Sequence, residues 1–129
     1  TNGTASLEVL EELLPWIDAM NIDLKGFRED YYRKLGGDLE TVKAFIVRAQ
    51  ESCHVELTTL IVPDENDSPE DMEAQAEWIA GLRPSIPLHI TRFFPRYHMM
   101  DREATDVEQL YRLAGIAVKY LEKVYVGYV

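Results

Sequence analysis

The chain has 129 residues, of which 47% are hydrophobic and 28% are charged, as expected for one soluble globular domain. Its formal net charge of −10 argues against duplex nucleic acid and anionic membranes as partners. Its apolar runs are shorter than a membrane-spanning helix requires. Cys53 is the single cysteine, which excludes an internal disulfide and favours a reduced, cytoplasmic setting.

The first half of the chain alternates between helical and strand periodicity. Ser6 is predicted to cap a helix that ends at Pro15 and has leucines at helical spacing: Leu7, Leu10, Leu13 and Leu14. A strand is predicted from about 19 to 25, and a short helix from 30 to 35. Asp38 is predicted to cap the next helix, whose buried stripe is Val42, Phe45, Ile46 and Ala49.

The second half continues this alternation. The segments predicted as strands are 55–62, 87–93 and 124–126. Ser68 is placed to cap a helix with Pro69 at its first position, and this helix is predicted to stop near Gly81. Thr105 and Glu108 form a predicted capping box for a helix from 106 to 121.

Helices between successive strands imply a parallel sheet, because a parallel connection needs a long crossover. The sequence therefore predicts an α/β fold, with residues 1–129 as one domain. Parallel sheets bind ligands at the carboxyl ends of their strands. The segments predicted to lie at those ends are 23–25, 62–63, 93–98 and Gly127.

The first predicted strand places Asn21, Asp23 and Lys25 on one face. If helices cover the other face, this polar set faces the interior of a barrel at its open end. Asp23 and Lys25 then form either an ion pair that seals the barrel mouth or a ligand site. In a ligand site, Asp23 would accept a hydrogen bond from an amine or bind a cation, and Lys25 would bind a carboxylate.

The next two strands supply further candidates. Glu56 and Thr58 share a face, and Glu56 needs a partner or solvent because an unpaired buried carboxylate is costly. The inward set of the third strand is either His89, Thr91 and Phe93 or Leu88, Ile90 and Arg92. His98, in the loop after that strand, is the stronger candidate for a functional histidine. The sequence has no glycine-rich phosphate loop, nucleophile elbow or zinc-ligand spacing, so no metal ligands are predicted.

Six stretches occur in a characteristic order: Thr1-Asn2-Gly3, Asn21-Ile22-Asp23-Leu24-Lys25-Gly26, Thr58-Thr59-Leu60-Ile61-Val62-Pro63, Asn66-Asp67-Ser68, Arg92-Phe93-Phe94-Pro95-Arg96-Tyr97 and Val124-Tyr125-Val126-Gly127. Together they resemble the C-terminal half of radical SAM enzymes of the pyruvate formate-lyase-activating type. Within these enzymes, the likeness is strongest to the radical SAM protein of the AmmeMemoRadiSam system. The resemblance covers nearly the whole chain, and it implies half of a partial (β/α) TIM-type barrel.

The resemblance also implies a chemistry for the parent enzyme. Enzymes of this family bind S-adenosylmethionine (SAM) over a [4Fe-4S] cluster. Reductive cleavage of SAM gives a 5′-deoxyadenosyl radical, which abstracts hydrogen from a substrate. In the activating enzymes that substrate is a glycine of a partner protein, so a protein partner is among the expectations.

Individual site residues carry over by position. Thr1 and Asn2 match the family's Asp-Thr-Asn-Gly strand end without its aspartate. Asp23 and Lys25 match the Asp-x-Lys strand, whose acid lies near the methionyl end of SAM and a monovalent cation site. Thr58 stands about where activating enzymes carry an arginine that contacts SAM, which is a departure from the pattern. His98 lies near a histidine of the family's last barrel loop.

The cluster motif Cys-x-x-x-Cys-x-x-Cys is absent, and Cys53 alone does not replace three thiolates. The resemblance therefore implies a fragment of a larger enzyme that supplies part of the SAM and substrate site, contains no catalytic residue of its own and is inactive alone. An exposed sheet edge and inner face predict self-association. Two alternatives stay open: a non-catalytic interaction or SAM-binding module of the same fold, and an unrelated α/β domain that binds an anionic metabolite.

Overall fold

A computed structural model of the protein describes residues 7–93 and 104–127. The strands are β1 Ala19–Asp23, β2 His54–Ile61, β3 Leu88–Arg92 and β4 Val124–Gly127. The helices are α1 Leu7–Leu13, α2 Glu29–Lys34, α3 Leu39–Ser52, α4 Pro69–Leu82 and α5 Val107–Ala117. A short 3-10 helix, Leu14–Trp16, continues α1. Each described element lies close to its predicted position.

The four described strands form one sheet in the order β1-β2-β3-β4, and every neighbouring pair is parallel. Asp23 is in register with Thr58, Thr58 with His89, and His89 with Tyr125. The predicted α/β fold with a parallel sheet is confirmed. Sequential order with helical crossovers is the arrangement expected for part of a (β/α) barrel.

One face of the sheet contributes to the hydrophobic core. Ile22, Leu57 and Ile90 are fully buried there against residues of the helices. The predicted stripe of α3 is confirmed, since all four of its apolar residues are buried. The leucine stripe of α1 is only partly right: Leu10 is 1% exposed, whereas Leu13 is 46% exposed.

The opposite face of the sheet stays open in the described part of the chain. Asn21 and Asp23 on β1 are exposed, and Glu56 and Thr58 on β2 are half-buried. The alternation of buried and open residues along β1 and β2 is the period-two pattern of a strand with one covered face. This open face carries the polar residues that the sequence analysis singled out.

Helix capping confirms the prediction at Ser68 and corrects the one at Thr105. Ser68 caps α4 by accepting from the Asp71 backbone N–H at 3.2 Å. The capping box of Thr105 is wrong, because Asp106 caps α5 by accepting from the Glu108 N–H at 3.0 Å. The helix from Asp106 also ends at Ala117, not at 121.

Thr105 has a different role, which explains the miss. It is 1% exposed and its hydroxyl donates to the Ile61 carbonyl. The same hydroxyl accepts from the Phe93 N–H at 3.0 Å. Thr105 therefore links the carboxyl ends of β2 and β3, and the residue after it is left to cap the helix.

The start of α3 also differs from the prediction. Asp38 occupies the cap position, but its side chain caps no backbone N–H and accepts from the Thr41 hydroxyl at 2.7 Å. The Leu39 N–H is bound instead by the Glu29 carboxylate at 3.1 Å. The predicted cap at Ser6 lies outside the described residues. Among the described helices, none is long and apolar enough to cross a membrane.

Candidate functional site

The candidate site lies on the open face at the carboxyl ends of β1 and β2. Asp23 is exposed there, as the last residue of β1. The Thr58 hydroxyl donates to the side-chain oxygen of Asn21 at 3.0 Å. The structure thus brings together Asp23 and Thr58, which the sequence analysis assigned to one site, and adds Asn21 as their neighbour.

Lys25 follows the end of β1, and its backbone is fixed from two sides. Its N–H donates to the Tyr32 hydroxyl at 2.8 Å. Its carbonyl accepts from the Asn66 amide, also at 2.8 Å. The chain is therefore held in one path just beyond Asp23.

Tyr32 is 2% exposed, and burial raises the pKa of its hydroxyl to about 12. Because burial disfavours the phenolate, the hydroxyl stays neutral at physiological pH and accepts the Lys25 N–H without adding charge. The sequence analysis missed this role of Tyr32. The only available signal was a large aromatic residue in the short helix that follows the Asp-x-Lys strand.

Asn66 is the second support of the site. It is 5% exposed, and its side-chain oxygen accepts from the Val62 N–H at 2.7 Å. Its amide also donates to the Leu60 carbonyl at 2.8 Å. One buried side chain therefore joins the segment after β1 to the end of β2. The signal in the sequence was the position of Asn66 in Asn66-Asp67-Ser68, one of the stretches that carry the family resemblance.

Glu56 has the partners that the sequence analysis required. On the open face, its carboxylate binds Nε2 of His89 at 2.6 Å and Nε2 of His54 at 3.1 Å. Hydrogen bonds from His89 and then His54 lower the pKa of Glu56. The carboxylate is therefore ionised at neutral pH, and it orients both imidazole rings.

The third strand presents its polar set to the open face. Leu88 and Ile90 are fully buried on the helix side, whereas His89 is half-buried on the open side. The His89 ring stacks on Tyr125 of β4, with ring centroids 5.1 Å apart. Tyr125 was not predicted as a site residue, because its position opposite His89 depends on the register of β3 and β4.

Several predicted site residues are not placed. Thr1, Asn2 and His98 lie outside the described residues. Cys53 is half-buried at the end of α3, and burial raises the pKa of its thiol. Its thiol is therefore neutral at physiological pH.

Within residues 7–93 and 104–127, no group of three His, Cys, Asp or Glu side chains could hold a metal ion. The described residues therefore do not fit a [4Fe-4S] cluster, which is held by four ligands that are usually thiolates. The carboxylate, hydroxyl and amide groups at the carboxyl ends of β1 and β2 do fit a polar organic ligand. They offer an anionic acceptor beside neutral donors and acceptors.

No family model matches the chain. The chain is 35% identical over 137 residues to "Uncharacterized protein MJ0808" of Methanocaldococcus jannaschii. That match covers 98% of this chain and 38% of the relative, so the chain spans a little over a third of the relative's length.

A solved structure shows the fold. It is a domain of pyruvate-formate lyase-activating enzyme from Bacteroides vulgatus, similar at a TM-score of 0.78 with 19% sequence identity. The match covers 94% of this chain and 74% of that one. The chain has the fold of that domain. Identity this low establishes the fold alone.

Proposed function

We propose that this chain is part of a larger radical SAM enzyme of the glycyl-radical-activating type. It supplies part of the SAM and substrate site and is inactive alone. The observation that carries this proposal is the open sheet face, with Asp23 and Thr58 at its carboxyl end. In parallel α/β sheets this end is where ligands bind. The fold similarity to an activating-enzyme domain supports the same assignment.

The groups at this end fit the methionyl part of SAM. The Asp23 carboxylate is exposed and would accept from the α-amino group. The ammonium of Lys25 would bind the α-carboxylate, and the Thr58 hydroxyl would add a neutral hydrogen bond. Tyr32 and Asn66 fix the backbone that presents Lys25. These residues bind and orient; none of them transfers a proton or an electron.

When bound to a reduced cluster, SAM supplies a 5′-deoxyadenosyl radical. The cluster ligands are proposed to lie in the part of the enzyme that precedes this chain. Thr1, Asn2 and His98 remain proposed members of the SAM site. We further propose that the parent is a cytoplasmic enzyme closest to the AmmeMemoRadiSam-system protein, with a protein among its partners.

The test is anaerobic iron–sulfur reconstitution, followed by reduction in the presence of SAM. It is run on this chain and on the longer protein that the proposal requires. We expect cluster formation and 5′-deoxyadenosine from the longer protein, and neither from this chain. Within the longer protein, Asp23→Asn is expected to weaken SAM binding about tenfold or more, since it removes one charge-assisted contact.

Asp18→Asn is the matched control, because Asp18 is exposed before the amino end of β1. Equal SAM affinity in the two variants would overturn the assignment of Asp23. A longer protein that forms no cluster would overturn the catalytic proposal as a whole. The alternative, a non-catalytic SAM-binding or interaction module of the same fold, would then be the better account.

A further inference from the structure

A small cavity lies at the opposite end of the sheet, where the strands begin. Its volume is about 130 Å³. Polar and charged residues from separate segments line it: Gln50, Cys53, His54, Arg83, Ser85 and Lys123. Ligand sites for drug-sized molecules measure about 300–1,000 Å³, so this cavity suits one small group.

Three hydrogen-bond donors at this cavity are not paired with a described protein group and are open to solvent or to a ligand. The guanidinium of Arg83, the ammonium of Lys123 and the hydroxyl of Ser85 bind no side chain or backbone group in the described part of the chain. Several other described cations are paired, for example Arg48 with Glu11 and Lys34 with Glu65. The chain has a net charge of −10, whereas the lining of this cavity carries two cations and no carboxylate. The cavity is therefore locally positive.

Backbone hydrogen bonds hold these donors on one rim. The Pro84 carbonyl accepts from the Glu122 N–H at 3.1 Å, which joins the loop after α4 to the segment before β4. The Lys123 carbonyl accepts from the Leu88 N–H at 3.0 Å. The backbone segments that carry Arg83 and Lys123 are therefore held beside each other, and no carboxylate lines the cavity.

Two further features bear on the charge of the ligand. The Cys53 thiol is neutral at physiological pH, so it does not compete with an anion for the cations. The carboxyl ends of α3 and α4 lie at the same end of the sheet, and their partial negative charge opposes an anion. A cation at Arg83 is favourable for the helix alone, because Arg83 directly follows the carboxyl end of α4. Lys123 precedes β4, so the helix ends do not account for its charge.

We propose that this cavity binds a small tetrahedral oxyanion, either free phosphate or the phosphate group of a small metabolite. Arg83 and Lys123 supply the charge and Ser85 a neutral hydrogen bond. Guanidinium and ammonium groups around a small polar cavity are the usual partners of phosphate. The site is separate from the proposed SAM site, since it lies at the amino ends of the strands, and it stands independently of the proposed function.

The test is a titration of this chain with inorganic phosphate, in which binding is monitored by the amide chemical shifts. We expect saturable shifts at cavity residues such as Val55 and Ile86. Arg83→Gln and Lys123→Gln should each weaken phosphate binding about tenfold, as expected for loss of one charge-assisted contact. Lys119→Gln removes the same charge from an exposed residue outside the cavity and should leave the affinity within about twofold.

Separate arms identify the ligand class. Acetate should bind much more weakly than phosphate, and equal binding would overturn the preference for a tetrahedral dianion. Glycerol 3-phosphate distinguishes the sources: tighter binding than phosphate assigns the site to a metabolite's phosphate group, and weaker binding assigns it to the free anion. Non-saturable shifts, or a double variant of Arg83 and Lys123 that binds like the wild type, would overturn the proposal. Both residues are exposed, so the variants are expected to fold.

Discussion

The side-chain amide of Asn66 donates to the backbone carbonyl of Lys25 at 2.8 Å, across the gap between the ends of β1 and β2. The two residues are 41 positions apart in the chain. Asn66 lies in the loop after β2, so the residue that fixes the Asp-x-Lys segment comes from a neighbouring strand connection. The candidate site therefore depends on the hydrogen bond between the ends of β1 and β2 as well as on the strand that carries Asp23.

Replacement of Asn66 by alanine tests this dependence. Asn66→Ala leaves the Val62 N–H and the Lys25 and Leu60 carbonyls without their partner. Unsatisfied buried groups are costly, so we expect the free energy of unfolding to fall by about 2–4 kcal/mol. Urea unfolding measures this loss, with Asp67→Asn as the control in the next residue. A loss below about 0.5 kcal/mol would show that water replaces the amide.

Tyr32 gives a prediction at alkaline pH. Burial raises the pKa of its hydroxyl from 10.0 to about 12, so the folded state resists ionisation that the unfolded state allows. Stability from this group is complete below pH 10 and is lost as the pH rises towards 12. The loss should reach about 2–3 kcal/mol, since one pKa unit corresponds to about 1.4 kcal/mol.

The matched variant is Tyr32→Phe, studied by urea unfolding from pH 9 to about 12. It removes the titrating group, so its stability should fall less steeply with pH than that of the wild type. At pH 7 it should be less stable by about 1–3 kcal/mol, because the Lys25 N–H loses its acceptor. Tyr111→Phe, at an exposed tyrosine, is the control. Parallel pH profiles for Tyr32→Phe and the wild type would refute the assignment.

Glu56 gives a prediction at acid pH. Its pKa in the folded state lies below the usual 4.5, chiefly because His89 and His54 bind the carboxylate. This contribution to stability is present above pH 4.5 and is lost as the pH falls through the lower folded value. The side chain is 36% exposed, so solvent screening limits the effect to about 1 kcal/mol or less.

Glu56→Gln should therefore flatten the acid side of the stability profile, and Glu12→Gln on an exposed turn of α1 should not. The His89 ring offers an independent readout. Its ¹⁵N shifts should report a changed hydrogen bond at Nε2 in Glu56→Gln and no change in Glu12→Gln. Unchanged His89 shifts in both variants would show that the carboxylate does not orient the ring.

The parallel sheet could be predicted from the sequence, because β-branched runs alternate with amphipathic helical stripes. A clear cap such as Ser68 marks where a helix begins. The sequence also put Asp23 at the carboxyl end of the first strand, whereas Thr58, which is in register with Asp23, was assigned to the site through the family resemblance. It could not identify Asn66 and Tyr32 as supports, because their partners are backbone groups of a distant segment. A side chain that binds a remote carbonyl leaves no periodic signal.

The face of the third strand was undecided for a related reason. His89 and Ile90 are both compatible with a strand, and only the position of the helices decides which one is buried. The misassigned cap at Thr105 has the same origin. A threonine before a helix predicts a cap from local spacing, whereas its hydroxyl binds Ile61, 44 residues earlier.

We predict self-association from the open face and from the outer edge of β1, which pairs only with β2 among the described strands. Leu60 and Tyr125 lie on the open face and are 45% and 50% exposed. Exposed apolar side chains on an uncovered sheet favour association, as does a strand edge without a partner. We expect sedimentation of this chain to show association that increases with concentration. Leu60→Lys should reduce it, whereas Val118→Lys, at a residue that follows α5 and is 56% exposed, should not. A monomer at high concentration would refute the prediction.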